Sequence, residues 1–150
     1  MITKSAPAAM AALPVSLTAL APQTAAAQVQ QIWSIDGYAV ACQGNPIYLD
    51  PNLPDAGMAK PGLILLNPYA MQSMSTSHKL FLLSHECAHA IGISNESDAD
   101  CFAVRLGRDQ GWFPPYVFNE LIAAFQNNPG DFTHPPGPAR INYMMQCYQT

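Results

Sequence analysis

The run His85-Glu86-Cys87-Ala88-His89 restricts this chain more than any other part of it. Two histidines four apart lie one above the other on one helix face, because a turn takes 3.6 residues. Two imidazoles so placed can grip one Zn²⁺. Glu86 is turned about 100° from His85, close enough to reach water on that ion without displacing it. Two neutral nitrogen ligands, a carboxylate base and room for water are what a zinc hydrolase needs. The flanks favour a helix here. Ser75-Thr76-Ser77 offers an N-cap, Leu80-Phe81-Leu82-Leu83 gives a buried approach, and Gly92 supplies a stop. Two plainer outcomes fit the same residues: incidental histidines on a helix, or a zinc ion that only holds structure.

A catalytic zinc needs a third protein ligand. Asn95 can cap a second helix, and acids suit its first turn. Glu96 and Asp100 are four apart and share a face. Glu96 is the expected ligand, with Asp100 as the alternative. If Glu96 binds the metal, Asp100 can accept the free ring N–H of a ligand histidine and fix its tautomer. Cys87 is turned about 200° from His85, which argues against a thiolate ligand. His78 lies seven before His85, near the same face. It is either a solvent-facing residue of the first turn or part of a second metal site.

HExxH followed by Glu96-x-x-x-Asp100 resembles the gluzincin metallopeptidases. The segment Glu96-Ser97-Asp98-Ala99-Asp100-Cys101-Phe102-Ala103 is similar to the E-x-x-A-D-x-x-A stretch of the CAAX prenyl protease and heat-shock membrane protease group. Thr133-His134-Pro135, followed by Arg140-Ile141, resembles the T-H-P…R-I element of the same group. The three matches run in order over residues 85–141. The resemblance implies His85, His89 and Glu96 as zinc ligands, Glu86 as general base, and Asp100 behind a ligand histidine. It also implies His134 as a group near the reaction centre.

Lys4 precedes an Ala- and Leu-rich run that ends in Ala25-Ala26-Ala27 before Gln28. That pattern reads as a signal peptide over residues 1–27, with one domain over residues 28–150. The expected location is therefore periplasmic or secreted, with no integral membrane segment once the signal is cleaved. The net charge of −4 with no basic stripe excludes nucleic acid as a natural partner. All four cysteines (Cys42, Cys87, Cys101 and Cys147) lie after residue 27, which suggests two disulfides. Cys87 and Cys101 would sit at similar heights in an antiparallel helix pair, given a rise of about 1.5 Å per residue. The expected pairs are Cys87–Cys101 and Cys42–Cys147.

Asp36-Gly37 marks a hairpin turn. Ile47-Tyr48-Leu49 and Leu63-Ile64-Leu65-Leu66 read as short strands, and Met58–Lys60 as loop. Leu63–Leu66 leads toward the HExxH helix. It is either the rim strand of a cleft, able to take an extended peptide by β-addition, or a plain core strand. Tyr116 to Gln126 and Pro138 to about Tyr148 read as helices, with Pro138 at the first position of the last. Charged residues make up only 11%, against about 25% usually, so Trp112, Phe113, Met144 and Met145 are expected in the core.

The expected fold is α+β and zincin-like: a small antiparallel or mixed sheet packed on the HExxH helix and a following antiparallel helix. The expected activity is hydrolysis of peptide bonds in a peptide or protein substrate. Glu86 takes a proton from water on zinc and delivers it to the leaving amine. His134 donates to the oxyanion, a role Tyr143 could share. The rival is an exported binding or scaffold module with a structural or vestigial zinc site. An intact Glu86 counts against it, since a structural site has no use for a base.

Overall fold

The structure, a computed structural model, describes residues 28–150. The signal peptide expected over residues 1–27 lies outside them. The fold is α+β, with six short strands followed by four helices. Strands β1 (Gln30–Ile32), β4 (Ile47–Leu49), β5 (Gly57–Lys60) and β6 (Leu63–Leu66) form a mixed sheet in the order β1-β4-β6-β5. β4 and β6 are parallel, and the other two pairings are antiparallel. β2 (Ser34–Ile35) and β3 (Tyr38–Ala39) make a separate hairpin. Its turn residues Asp36 and Gly37 have φ of 47° and 87°, the positive pair that matches strand twist in a two-residue loop.

One strand expectation changes, and one pair of alternatives is decided in favour of the core strand. Met58–Lys60 is not loop but most of β5, because Pro61-Gly62 closes a tight hairpin that pairs Lys60 with Leu63. Pro fixes φ at the first turn position, and Gly62 takes a φ of 84° at the second. β6 is therefore an interior strand, hydrogen-bonded on both sides, and β5 is the free edge. Ile64 and Leu66 of β6 are fully buried against the helical layer.

Helix α1 (Thr76–Ala90) starts where Ser75 Oγ accepts from His78 N at 3.2 Å. Its sequence is apolar on most sides, and a helix of that kind has to be covered on most sides. β5 and β6 flank it, α2 (Glu96–Gln110) packs along it, and α3 (Val117–Phe125) touches its start. Asn95 caps α2 by accepting from Asp98 N at 3.0 Å. An N-cap of this type is worth about 1 kcal/mol. Helix α4 (Gly137–Gln149) lies on α2 and α3, with Pro138 in its first turn. Trp112, Phe113 and Met144 are buried, and Met145 packs at the core margin.

The disulfides correct the expected pairing: they are Cys42–Cys87 and Cys101–Cys147. Similar height along two helices was not enough, because direction decides. α2 lies on the His85 side of α1, as the 2.9 Å contact between His85 Nδ1 and Asp100 Oδ1 shows. The rotation that turns Cys87 away from His85 also turns it away from α2, toward the segment carrying Cys42. Cys101 is turned by one residue from Asp100 and meets α4. Two disulfides fit an exported protein. Among the described residues no helix is long and apolar enough to cross a membrane.

Candidate metal centre

His85 and His89 lie in the last turns of α1, and Glu96 is the first residue of α2. The link between these helices is short and tightly bonded, with Gly92 N on His89 O and Ile93 N on Ala88 O. It brings the Glu96 carboxylate up to both imidazoles. His85 Nε2 and His89 Nε2 are 3.1 Å apart. Glu96 Oε2 is 3.1 Å from the first, and Oε1 is 3.4 Å from the second. Tetrahedral zinc with bonds of about 2.0–2.1 Å needs ligand atoms about 3.3–3.4 Å apart. Together these three side chains could hold a metal ion.

The imidazoles are turned for that task. His85 Nδ1 donates to Asp100 Oδ1 at 2.9 Å, and His89 Nδ1 donates to Ile93 O at 2.7 Å. In the neutral rings that bind metal, each Nε2 then turns its lone pair toward the other. Glu96 Oε2 is buried between ring nitrogens of His85 and His134, 3.1 and 3.2 Å away. It accepts a hydrogen bond from either ring only when that nitrogen carries a proton, so beside neutral rings it lacks a donor, and a metal ion would satisfy it. Donor spacing, the orientation of the rings and the need of that oxygen beside neutral rings all fit a metal ion, and two nitrogens with one carboxylate oxygen are a donor set that zinc accepts.

Asp100 is fully buried and bonds to His85 rather than joining the three converging donors. Its charge is balanced by Arg140 of α4, which donates through Nε to Oδ2 and through Nη2 to Oδ1, both at 2.7 Å. Burial pushes the Asp100 carboxyl up, but its bonds to Arg140 and His85 outweigh that and hold it below the usual range. Burial disfavours charge on His85, yet the bonds to Asp100 and Glu96 raise its pKa to about 9 in the metal-free site.

A cleft of about 470 Å³ opens over these groups, lined among others by Gly57, Ala59, Glu86, Ile93, Glu96 and His134. Glu86 is buried at 8% exposure, and burial raises its pKa against the pull of His85 and His89. His134 comes from the loop before α4. The Asp131 carboxylate orders that loop, accepting from Thr133 N, Thr133 Oγ1 and His134 N at 2.7, 2.8 and 2.7 Å. His134 Nε2 is 3.2 Å from Glu96 Oε2. These bonds close an Asx turn that sets the place of His134.

Tyr143 lies elsewhere. Its hydroxyl donates to Asp98 at 3.4 Å, and it does not line the cleft. His78 is half-buried and sits edge-on to Phe125, with ring centroids 6.4 Å apart. It belongs to no metal-binding group among the described residues. Cys87 is bonded to Cys42 and is no ligand. Arg140, Asp131, Ile93 and β5 gained no functional role from sequence reasoning. The Asp-x-Thr run and the Pro-Gly turn were signals for two of them. Arg140 finds its partner 40 positions away, which no local pattern shows.

Comparison with protein-family models, with curated proteins and with solved structures finds no match.

Proposed function

We propose that the protein is a zinc metallopeptidase of gluzincin type, exported and disulfide-bonded, that cleaves peptide bonds within an extended substrate. The carrying observation is the joint placement of Glu86 and the three converging donors in one open cleft. His85, His89 and Glu96 would hold the ion. When bound, zinc would supply a water of near-neutral pKa and polarise a carbonyl.

The chain's own groups do the rest. Glu86 stands one residue from His85, beneath the cleft, with its pKa raised by burial. A raised carboxylate pKa suits a group that must take a proton from water and return it to the departing amine. Asp100 and Arg140 hold the His85 ring in its orientation. His134, held by Asp131, has its Nε2 3.2 Å from Glu96 Oε2 and would donate to the developing oxyanion.

The free edge of β5 supports a peptide as substrate. In its pairing with β6, Ala56 O accepts from Asn67 N. Antiparallel bonding alternates, so the backbone groups of Met58 and Lys60 face β6, and those of Gly57 and Ala59 face away from it. Gly57 and Ala59 line the cleft, and an extended chain can add to such an edge. The structural-zinc alternative is less well supported. Structural sites are closed by four protein ligands, whereas three donors converge here beside an open cleft and a buried base.

Zinc analysis tests the site. Purified protein should bind one Zn²⁺ per chain, and His85→Ala or His89→Ala should abolish tight binding. Undiminished zinc in either variant would remove the site.

A further inference from the structure

Gly57 is the first residue of the edge strand β5, and its backbone does not need glycine. Its φ is not positive, unlike that of Gly62 in the neighbouring turn. What the position requires is space. A Cβ built on Gly57 would lie 2.9 Å from both Cγ and Oε1 of Glu86, and 3.0 Å from Leu82 Cδ1. Leu82 and Glu86 are four apart, on one face of α1. That face lies directly on the bare backbone of β5. The Glu86 carboxyl group occupies the volume a side chain would take, and the Ala59 backbone acts on it from the same strand.

We propose that Gly57 is a positioning residue for Glu86: its missing side chain sets where the carboxylate of the base rests. This rests on the peptidase reading above. The response to a methyl group at position 57 follows from what can move. β5 is paired with β6 along its whole length, and α1 is packed on both sheet and helices. The Glu86 side chain turns about single bonds, and its carboxyl end faces an open cleft. Glu86 therefore gives way, and the elements stay. The same strand that offers its edge to a peptide would thus also fix the base, so the peptide and the proton acceptor share one reference.

The test uses Gly57→Ala in two backgrounds. Zinc-loaded Gly57→Ala should keep its zinc and its KM, and lose about 10²-fold in kcat, the scale of a misplacement near 1 Å. In metal-free protein, Gly57→Ala should fail to raise Tm while Glu86 is present. Combined with Glu86→Ala, which vacates the space, it should raise Tm by about 2–5 °C, as Gly-to-Ala changes do where the conformation allows. An unchanged kcat, or a fall in kcat matched by loss of zinc, would overturn the proposal. So would equal Tm shifts in the two backgrounds. Absence of hydrolysis by zinc-loaded wild type would instead remove the peptidase reading, and the melting cycle would still decide whether Gly57 and Glu86 compete for one space.

Discussion

Arg140 grips both oxygens of Asp100 from the first turns of α4, and the pair is buried at 8% and 0% exposure. Through Asp100 it reaches the Nδ1 of His85, so the last helix is tied to the candidate metal centre by charge as well as by packing. Removing one partner of such a pair leaves a buried charge alone, at a cost of about 3–5 kcal/mol. Arg140→Ala should lower Tm strongly in metal-free protein and weaken zinc binding by about 10–100-fold. Arg140→Lys keeps the charge without the fork and should fall between. Thermal unfolding and zinc titration of the two variants measure both effects, and wild-type values for Arg140→Ala would contradict the tie.

The pairing Cys42–Cys87 and Cys101–Cys147 should appear in non-reducing peptide maps of oxidised protein. Each bridge closes a long segment, with sequence separations of 45 and 46. On chain entropy alone, each is worth about 4 kcal/mol. Cys101→Ser with Cys147→Ser should therefore lower Tm without removing zinc, since neither cysteine is a ligand. A map showing Cys87 joined to Cys101 would contradict this arrangement.

The charge state of His85 gives a pH dependence. Its pKa is raised to about 9 in the metal-free fold, against an ordinary value of 6.5. A raised folded-state pKa stabilises the fold below the unfolded value, and that contribution is lost as pH climbs through about 9. Metal needs the neutral ring. Zinc affinity should therefore rise with pH up to about 9, by as much as about tenfold per unit from this one proton. Competition titrations at several pH values read the slope, and a flat profile between about pH 7 and 9 would contradict the assignment.

His134→Ala should lower kcat by about 10²–10³-fold, the usual worth of one oxyanion donor, with zinc content unchanged. Asp131→Ala should give a smaller loss of the same kind, because it frees the loop that holds His134. Loss of zinc in His134→Ala would make that residue a ligand and reopen the role of Glu96.

The parts legible in the sequence were those set by local rules. Helix caps at Ser75 and Asn95, the Asp36-Gly37 turn and the HExxH spacing each depend on a few adjacent residues, and each stands in the structure. The convergence of His85, His89 and Glu96 was legible because the link between α1 and α2 is short. Helix rotation was harder. Cys87 and Cys101 matched in height, yet they face different neighbours. The edge strand was hidden because Gly57-Met58-Ala59-Lys60 has little strand character of its own; pairing with β6 through the Pro61-Gly62 turn makes it a strand. The Arg140–Asp100 pair depends on how α4 returns over α2, a tertiary fact with no local signature.

The peptidase reading meets its most direct test in one comparison: hydrolysis of an unfolded protein substrate by zinc-loaded wild type and zinc-loaded Glu86→Gln. An amide cannot take the proton from water, while both histidines and Glu96 keep their places. The expected result is equal zinc content, cleavage by wild type, and at least about a 10²-fold slower rate in the variant. Equal rates in the two proteins at equal zinc content would contradict the mechanism at its centre.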